Sequence, residues 1–152
     1  MIFDPKIVKE LKPLKKRSYK KALDENIDAL KKILRDYDTD YPWADDEINY
    51  LKKGYKTCEN RKKLSESLSK VEKIDQQTSY KLIEEVYGSV NEFIKDGRDF
   101  FDAGIKFSKK RKEGGLIFRI FSAFDIKYAQ LGNKQLDKIE KEYEEWVKEH
   151  GQ

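Results

Sequence analysis

The run Leu116-Ile-Phe-Arg-Ile-Phe-Ser-Ala-Phe-Asp-Ile-Lys-Tyr-Ala-Gln-Leu131 decides how this chain is read. It is the one strongly apolar stretch in a sequence of which 41% is charged, and it follows the basic run Lys109-Lys-Arg-Lys112 and the turn Glu113-Gly-Gly115. A chain so charged has few ways to build a core, so this segment belongs at its centre or against a partner. It is too short to span a bilayer, which takes about 20 mostly apolar residues, and it carries Arg119, Asp125 and Lys127. As a helix it shows only a narrow polar strip of Arg119, Ser122 and Asp125. A helix apolar over so much of its circumference is normally buried on several sides. The pattern therefore predicts Phe118, Ile120, Phe121 and Phe124 as core, or as half of an interface between two chains. A membrane surface beside residues 109–112 is a third option.

Outward from this segment the sequence reads as helix after helix. Asp4-Pro5 suits a helix start, and Pro13 ends that first short piece. Over 14–37, Tyr19, Leu23, Ile27, Leu30, Ile33, Leu34 and Tyr37 recur at three and four, the helical period. A second helix opens near Trp43 with Asp45, Asp46 and Glu47 placed well for its dipole. Its stripe of Ile48, Leu51, Tyr55 and Cys58 breaks at Glu59-Asn-Arg-Lys-Lys63 and resumes rotated at Leu64, Leu68 and Val71. That break predicts a kink, a bulge or a change of neighbour. The longest helix is expected over 80–112, with Gly97 and Gly104 in its apolar stripe marking close approach by another helix. Gly132-Asn133 is expected to end the apolar helix before a last one carrying Leu136, Ile139, Tyr143, Trp146 and Val147.

Three prolines, eight glycines and a wealth of Lys, Glu, Leu and Ile favour helices joined by short turns. With 152 residues the chain fits one domain, 1–152. The expected fold is all-α: an antiparallel bundle of four to five helices with an extra short N-terminal helix. One cysteine excludes an internal disulfide and suits a reducing interior. No signal-peptide pattern opens the chain, and a cytoplasmic, soluble protein without a membrane partner is expected.

Chemistry-bearing residues are few. His150 is the only histidine and sits near the C-terminus, which argues against histidine-based acid–base catalysis and zinc sites. Cys58 falls on an apolar face and reads as a small buried hydrophobe rather than a reactive thiol. Glu92, Asp96, Asp99 and Asp102 form a row that could hold Mg²⁺ together with Glu142 and Glu145, but it points away from the apolar face. No catalytic residue, cofactor or metal site is expected, and the Gly114-Gly115 pair lacks the context of a phosphate cradle.

Charge carries more information. There are 33 basic and 29 acidic residues, a net +4. In an up-and-down bundle, residues 106–112 come near the acidic stretch 36–47. Residues 15–21 come level with 61–63. Lys15, Lys16, Arg17, Lys20, Lys21, Arg61, Lys62 and Lys63 thus form a candidate surface for nucleic acid or an acidic partner, with no acidic neighbour expected. The leading expectation is a non-enzymatic interaction protein that binds a protein partner or its own copy. A nucleic-acid-binding accessory subunit comes second, and a carboxylate–metal hydrolase a distant third.

Overall fold

Asp75 and Ser89 set the starts of two helices, and a glycine sets the end of the first. The Asp75 carboxylate accepts a hydrogen bond from the Thr78 backbone N–H at 2.7 Å, and the Ser89 hydroxyl accepts one from Glu92 N–H at 3.0 Å. Each satisfies a donor left unpaired in the first helical turn. Between them Gly88 takes φ +88°, in the left-handed region that glycine reaches without strain, and returns its N–H to Glu84 C=O.

The computed structural model describes residues 21, 24, 25, 27, 28, 31, 32, 35 and 42–151. Among these the chain is all-α. Helix α1 is Ala44–Leu68, α2 is Gln76–Tyr87, α3 is Val90–Arg111 and α4 is Leu116–His150, with a 3-10 turn, Lys112–Gly114, before α4. The eight described residues of 21–35 are also helical, and no strand occurs among the described residues. The short N-terminal helix expected after Asp4-Pro5 lies outside them.

α3 packs against α1, α2 and α4. Its pairing with α4 is antiparallel along the whole length. Arg111 meets Ser122 and Asp125 near the connecting turn, Asn133 reaches Asp102 further along, and Arg98 meets Asp137 and Glu140 beyond that. At the far end Tyr80, Val90, Ile94 and Leu136 form a buried cluster flanked by Phe93, Phe101, Ile139, Tyr143 and Trp146. Tyr80 meets Tyr143 and Trp146 edge to face at 4.9 and 5.1 Å, a favoured geometry for aromatic pairs. On the α1 side, Tyr50 stacks on Phe100 and Phe107 at 5.1 and 5.8 Å.

Close helix approach rests on glycines. A Cβ on Gly104 would sit 2.9 Å from the Tyr50 ring, and one on Gly97 would sit 2.8 Å from Leu136. Both agree with the reading of these two positions. Gly132 shows the same device where a turn was expected. It lies inside the unbroken α4, beneath Phe101, and is buried.

A further expectation changes. The helix expected over 80–112 is two helices, because Gly88-Ser89 supplies a glycine terminator directly followed by an N-cap. α1 is one continuous helix through 59–63, where a kink, a bulge or a change of neighbour is expected. Its buried positions end at Cys58, while Leu64 and Leu68 are half-buried. The rotation of its stripe coincides with several neighbours: Tyr50 packs on α3, Lys31 lies 5.7 Å above the Tyr55 ring, and α2 also contacts the helix.

Candidate interaction surface on the fourth helix

α4 has two unlike faces in its first half. The residues it turns inward are small: Ser122, Ala129 and Gly132 are buried. Its large apolar residues are left at the surface. Leu116, Ile117, Phe118, Ile120, Phe121, Phe124 and Leu131 are all exposed, with Leu116 at 71%, Phe121 at 57% and Phe124 at 62%. Within this chain Phe118, Ile120, Phe121 and Phe124 are therefore not an enclosed core.

The reason lies in the strip that reads as polar and solvent-facing. Ser122 and Asp125 point inward, where Arg111 at the end of α3 holds both. Its Nε donates to Ser122 Oγ at 3.1 Å and its Nη2 donates to Asp125 Oδ2 at 2.5 Å, while the guanidinium lies 4.8 Å above the Phe107 ring. Both charged side chains are mostly shielded, at 11% and 16% exposure. Burial pushes the Asp125 carboxyl above the ordinary aspartate range, and the adjacent Arg111 opposes the shift. Small residues and this clasp bring α4 close to α3, and the helix geometry then places the bulky side chains on other sides. Trp43 borders the surface: its ring lies 5.2 Å from Phe118 and packs over Gly114.

The outward residues have a definite order. Ile117, Phe121, Phe124, Tyr128 and Leu131 are spaced four, three, four and three. That is the heptad seam by which one helix accepts another. Tyr128 is half-buried and the other four are exposed. The next seam positions, Gln135 and Lys138, are polar, so the apolar seam spans 15 residues, about 21 Å. With roughly 200 Å² for a fully exposed large side chain, the seven exposed residues together present on the order of 800 Å². The largest patch on a typical monomer is about 300–600 Å², and a standard interface takes about 800 Å² from each partner.

The basic end looks different from its reading. Lys15, Lys16, Arg17 and Lys20 lie outside the described residues. Lys21 and Lys63 are exposed, and Arg61 and Lys62 are half-buried. Lys62 is not without an acid: its ammonium pairs with Asp24, which raises its pKa, and Glu66 and Asp28 add to the effect. The pairs 24 with 62 and 31 with 55 set an antiparallel register that brings Asp24, rather than a lysine, level with Lys62. The expectation of a cluster free of acidic neighbours is corrected there.

The other basic run meets the acids that the sequence places near it. Lys110 Nζ lies 3.1 Å and Lys106 Nζ 3.7 Å from the carboxylate of Asp46, while Lys109 and Lys112 are exposed. The acidic row on α3 is split. Asp96 faces Lys56 at 3.6 Å, Asp102 accepts from Asn133, and Glu92 and Asp99 are exposed. Among the described residues no group of three His, Cys, Asp or Glu side chains is arranged to hold a metal ion. Cys58 is fully buried, and burial pushes its thiol up to about 12. His150 is exposed and stacks on Trp146 at 4.3 Å.

No helix among the described residues is long and apolar enough to cross a membrane. No protein-family model, curated protein or solved structure matches this chain.

Proposed function

We propose that this chain is a non-enzymatic helical interaction protein, and that the outward face of α4 is where it binds a protein partner. The observation that carries this reading is the reversed polarity of α4. Seven large hydrophobic side chains stand exposed on one segment while its small residues line the packed side. Exposed apolar surface on this scale marks an interaction site on a folded protein. Aromatic residues, three of the seven here, are enriched at such sites.

A nucleic-acid-binding accessory subunit is the second reading, resting on exposed Lys21 and Lys63. The Lys62–Asp24 pair weighs against it. The two readings separate in one experiment: affinity capture with the full chain, the recovered material assayed for both protein and nucleic acid, beside the double variant Phe121→Asp/Phe124→Asp. The interaction reading expects protein binding that the double variant loses while keeping the wild-type melting temperature. Recovery of nucleic acid with a steep salt dependence, unchanged in the double variant, would overturn it.

A further inference from the structure

The occupant of the α4 face is narrowed by what flanks the seam. One flank, with Phe118, Asp125 and Gly132, is the side turned toward α3, where Asp125 is held by Arg111 and Gly132 is buried. The other flank is open and carries Ile120, Lys127 and Lys134 at steps of seven, both lysines exposed. A helix lying along the seam therefore meets two ammonium groups on its free side and no carboxylate in the same row.

A second copy of this chain fits poorly. Two copies in antiparallel register would set Lys127 and Lys134 against the same row of the other copy. Like charges so opposed are unfavourable. In parallel register the lysine row would face the flank already occupied by α3 of the other copy. The row calls for acids instead.

We propose that the first half of α4 docks an acidic amphipathic helix of another protein. Its apolar stripe seats on Ile117, Phe121, Phe124, Tyr128 and Leu131, and its Glu or Asp residues face Lys127 and Lys134. The docked helix is about four turns long, because the seam ends where Gln135 and Lys138 replace apolar residues. This rests on the reading of α4 as an interaction face and adds the chemistry of the partner.

The test uses the full chain and two fluorescent 21-residue peptides. Both have leucine at the two seam positions of each heptad; one has Glu and the other Lys at the flanking positions. Vesicles of phosphatidylserine form a third arm. The Glu peptide should bind at least tenfold more tightly than the Lys peptide at low salt, with the gap narrowing as salt rises. Lys127→Glu/Lys134→Glu should reverse the preference, and Phe121→Asp/Phe124→Asp should abolish binding of both peptides. Equal affinity for the two peptides, or binding of neither, overturns the acidic-helix assignment. Binding to vesicles alone, lost in the Phe121→Asp/Phe124→Asp chain, also overturns it while retaining the α4 face as the contact site. Peptide binding that this double variant leaves unchanged overturns the α4 reading itself.

Discussion

Gly132→Ala sets two opposed effects against each other, and the structure decides which prevails. In a helix interior alanine is favoured over glycine by about 1 kcal/mol. At Gly132, however, an ideal Cβ would lie 2.5 and 2.6 Å from Cε1 and Cε2 of Phe101, and nearer still to Cζ. Carbon atoms are comfortable at about 3.5–4.0 Å, so the ring must move by 1 Å or more. It has little freedom to do so, since Phe101 packs against the Val90, Ile94 and Leu136 cluster and stacks on Phe100 at 5.4 Å. Overpacking of this kind costs about 1–3 kcal/mol. The net expectation is a loss of up to roughly 2 kcal/mol, read by urea denaturation.

The control is Phe101→Ala. In that background Gly132→Ala should stabilise by about 1 kcal/mol, because only helix propensity then remains. The double-mutant cycle should give a coupling of roughly 1–3 kcal/mol. Stabilisation by Gly132→Ala in the wild-type background would refute the placement of Phe101 over a continuous α4. It is the result a glycine at the expected turn or on an open surface would give.

Phe107→Ala should cost about 3–5 kcal/mol, since Phe107 is fully enclosed between Tyr50 and Arg111, whereas Phe121→Ala should stay within about 0.5 kcal/mol; a scan of melting temperatures compares them. Arg111→Met should destabilise by about 3 kcal/mol by stranding the Asp125 carboxylate. An acid whose pKa is raised by folding favours the folded state as pH falls, so this loss should shrink on acidification, and a loss that grows instead would contradict the clasp. Asp75→Ala should lower the melting temperature at neutral pH. The Thr78 N–H holds the Asp75 pKa below its ordinary value of 3.8, so its contribution is present above that pH and is lost as pH falls, and the gap to the variant should close below it.

Much of the helical content was legible because period and punctuation agree. Acidic residues open α1, Gly97 and Gly104 mark close approach, and Lys106 and Lys110 come to Asp46 in the first turn of α1. The departures share one physical origin: the role of a glycine depends on its surroundings as well as on its type. Gly88 falls inside the helix expected over 80–112, although Ser89 and Glu92 follow it in N-capping order, a signal present in the local sequence. Gly132 reads as a turn because Asn133 follows it. Its true role depends on Phe101, thirty-one residues earlier in the sequence, which no local pattern reveals. The basic end differs for a related reason: Asp24 lies three residues after Lys21 on the same helical stretch, and only the register between that stretch and α1 shows that Lys62 meets the acid.

The reading of 116–131 turns on a subtler point. Apolar content says that a segment prefers burial, but not which of its faces the fold will bury. Here the α3–α4 seam takes Ser122, Asp125, Ala129 and Gly132, a set whose polar members would be costly to bury alone. Arg111 changes that balance. It gives Ser122 and Asp125 charge-assisted partners and covers them with a guanidinium that itself rests on Phe107. Once the polar strip is satisfied inside, the helix is anchored without its large side chains. The buried cluster around Leu136, Tyr80 and Ile94 secures its second half independently. Ile117, Phe121, Phe124 and Leu131 are then left with no structural task within α4's packing on α3. A surface of that kind weakens solubility without adding stability, and the helix proposed to dock there would resolve the conflict by giving the same residues a second core.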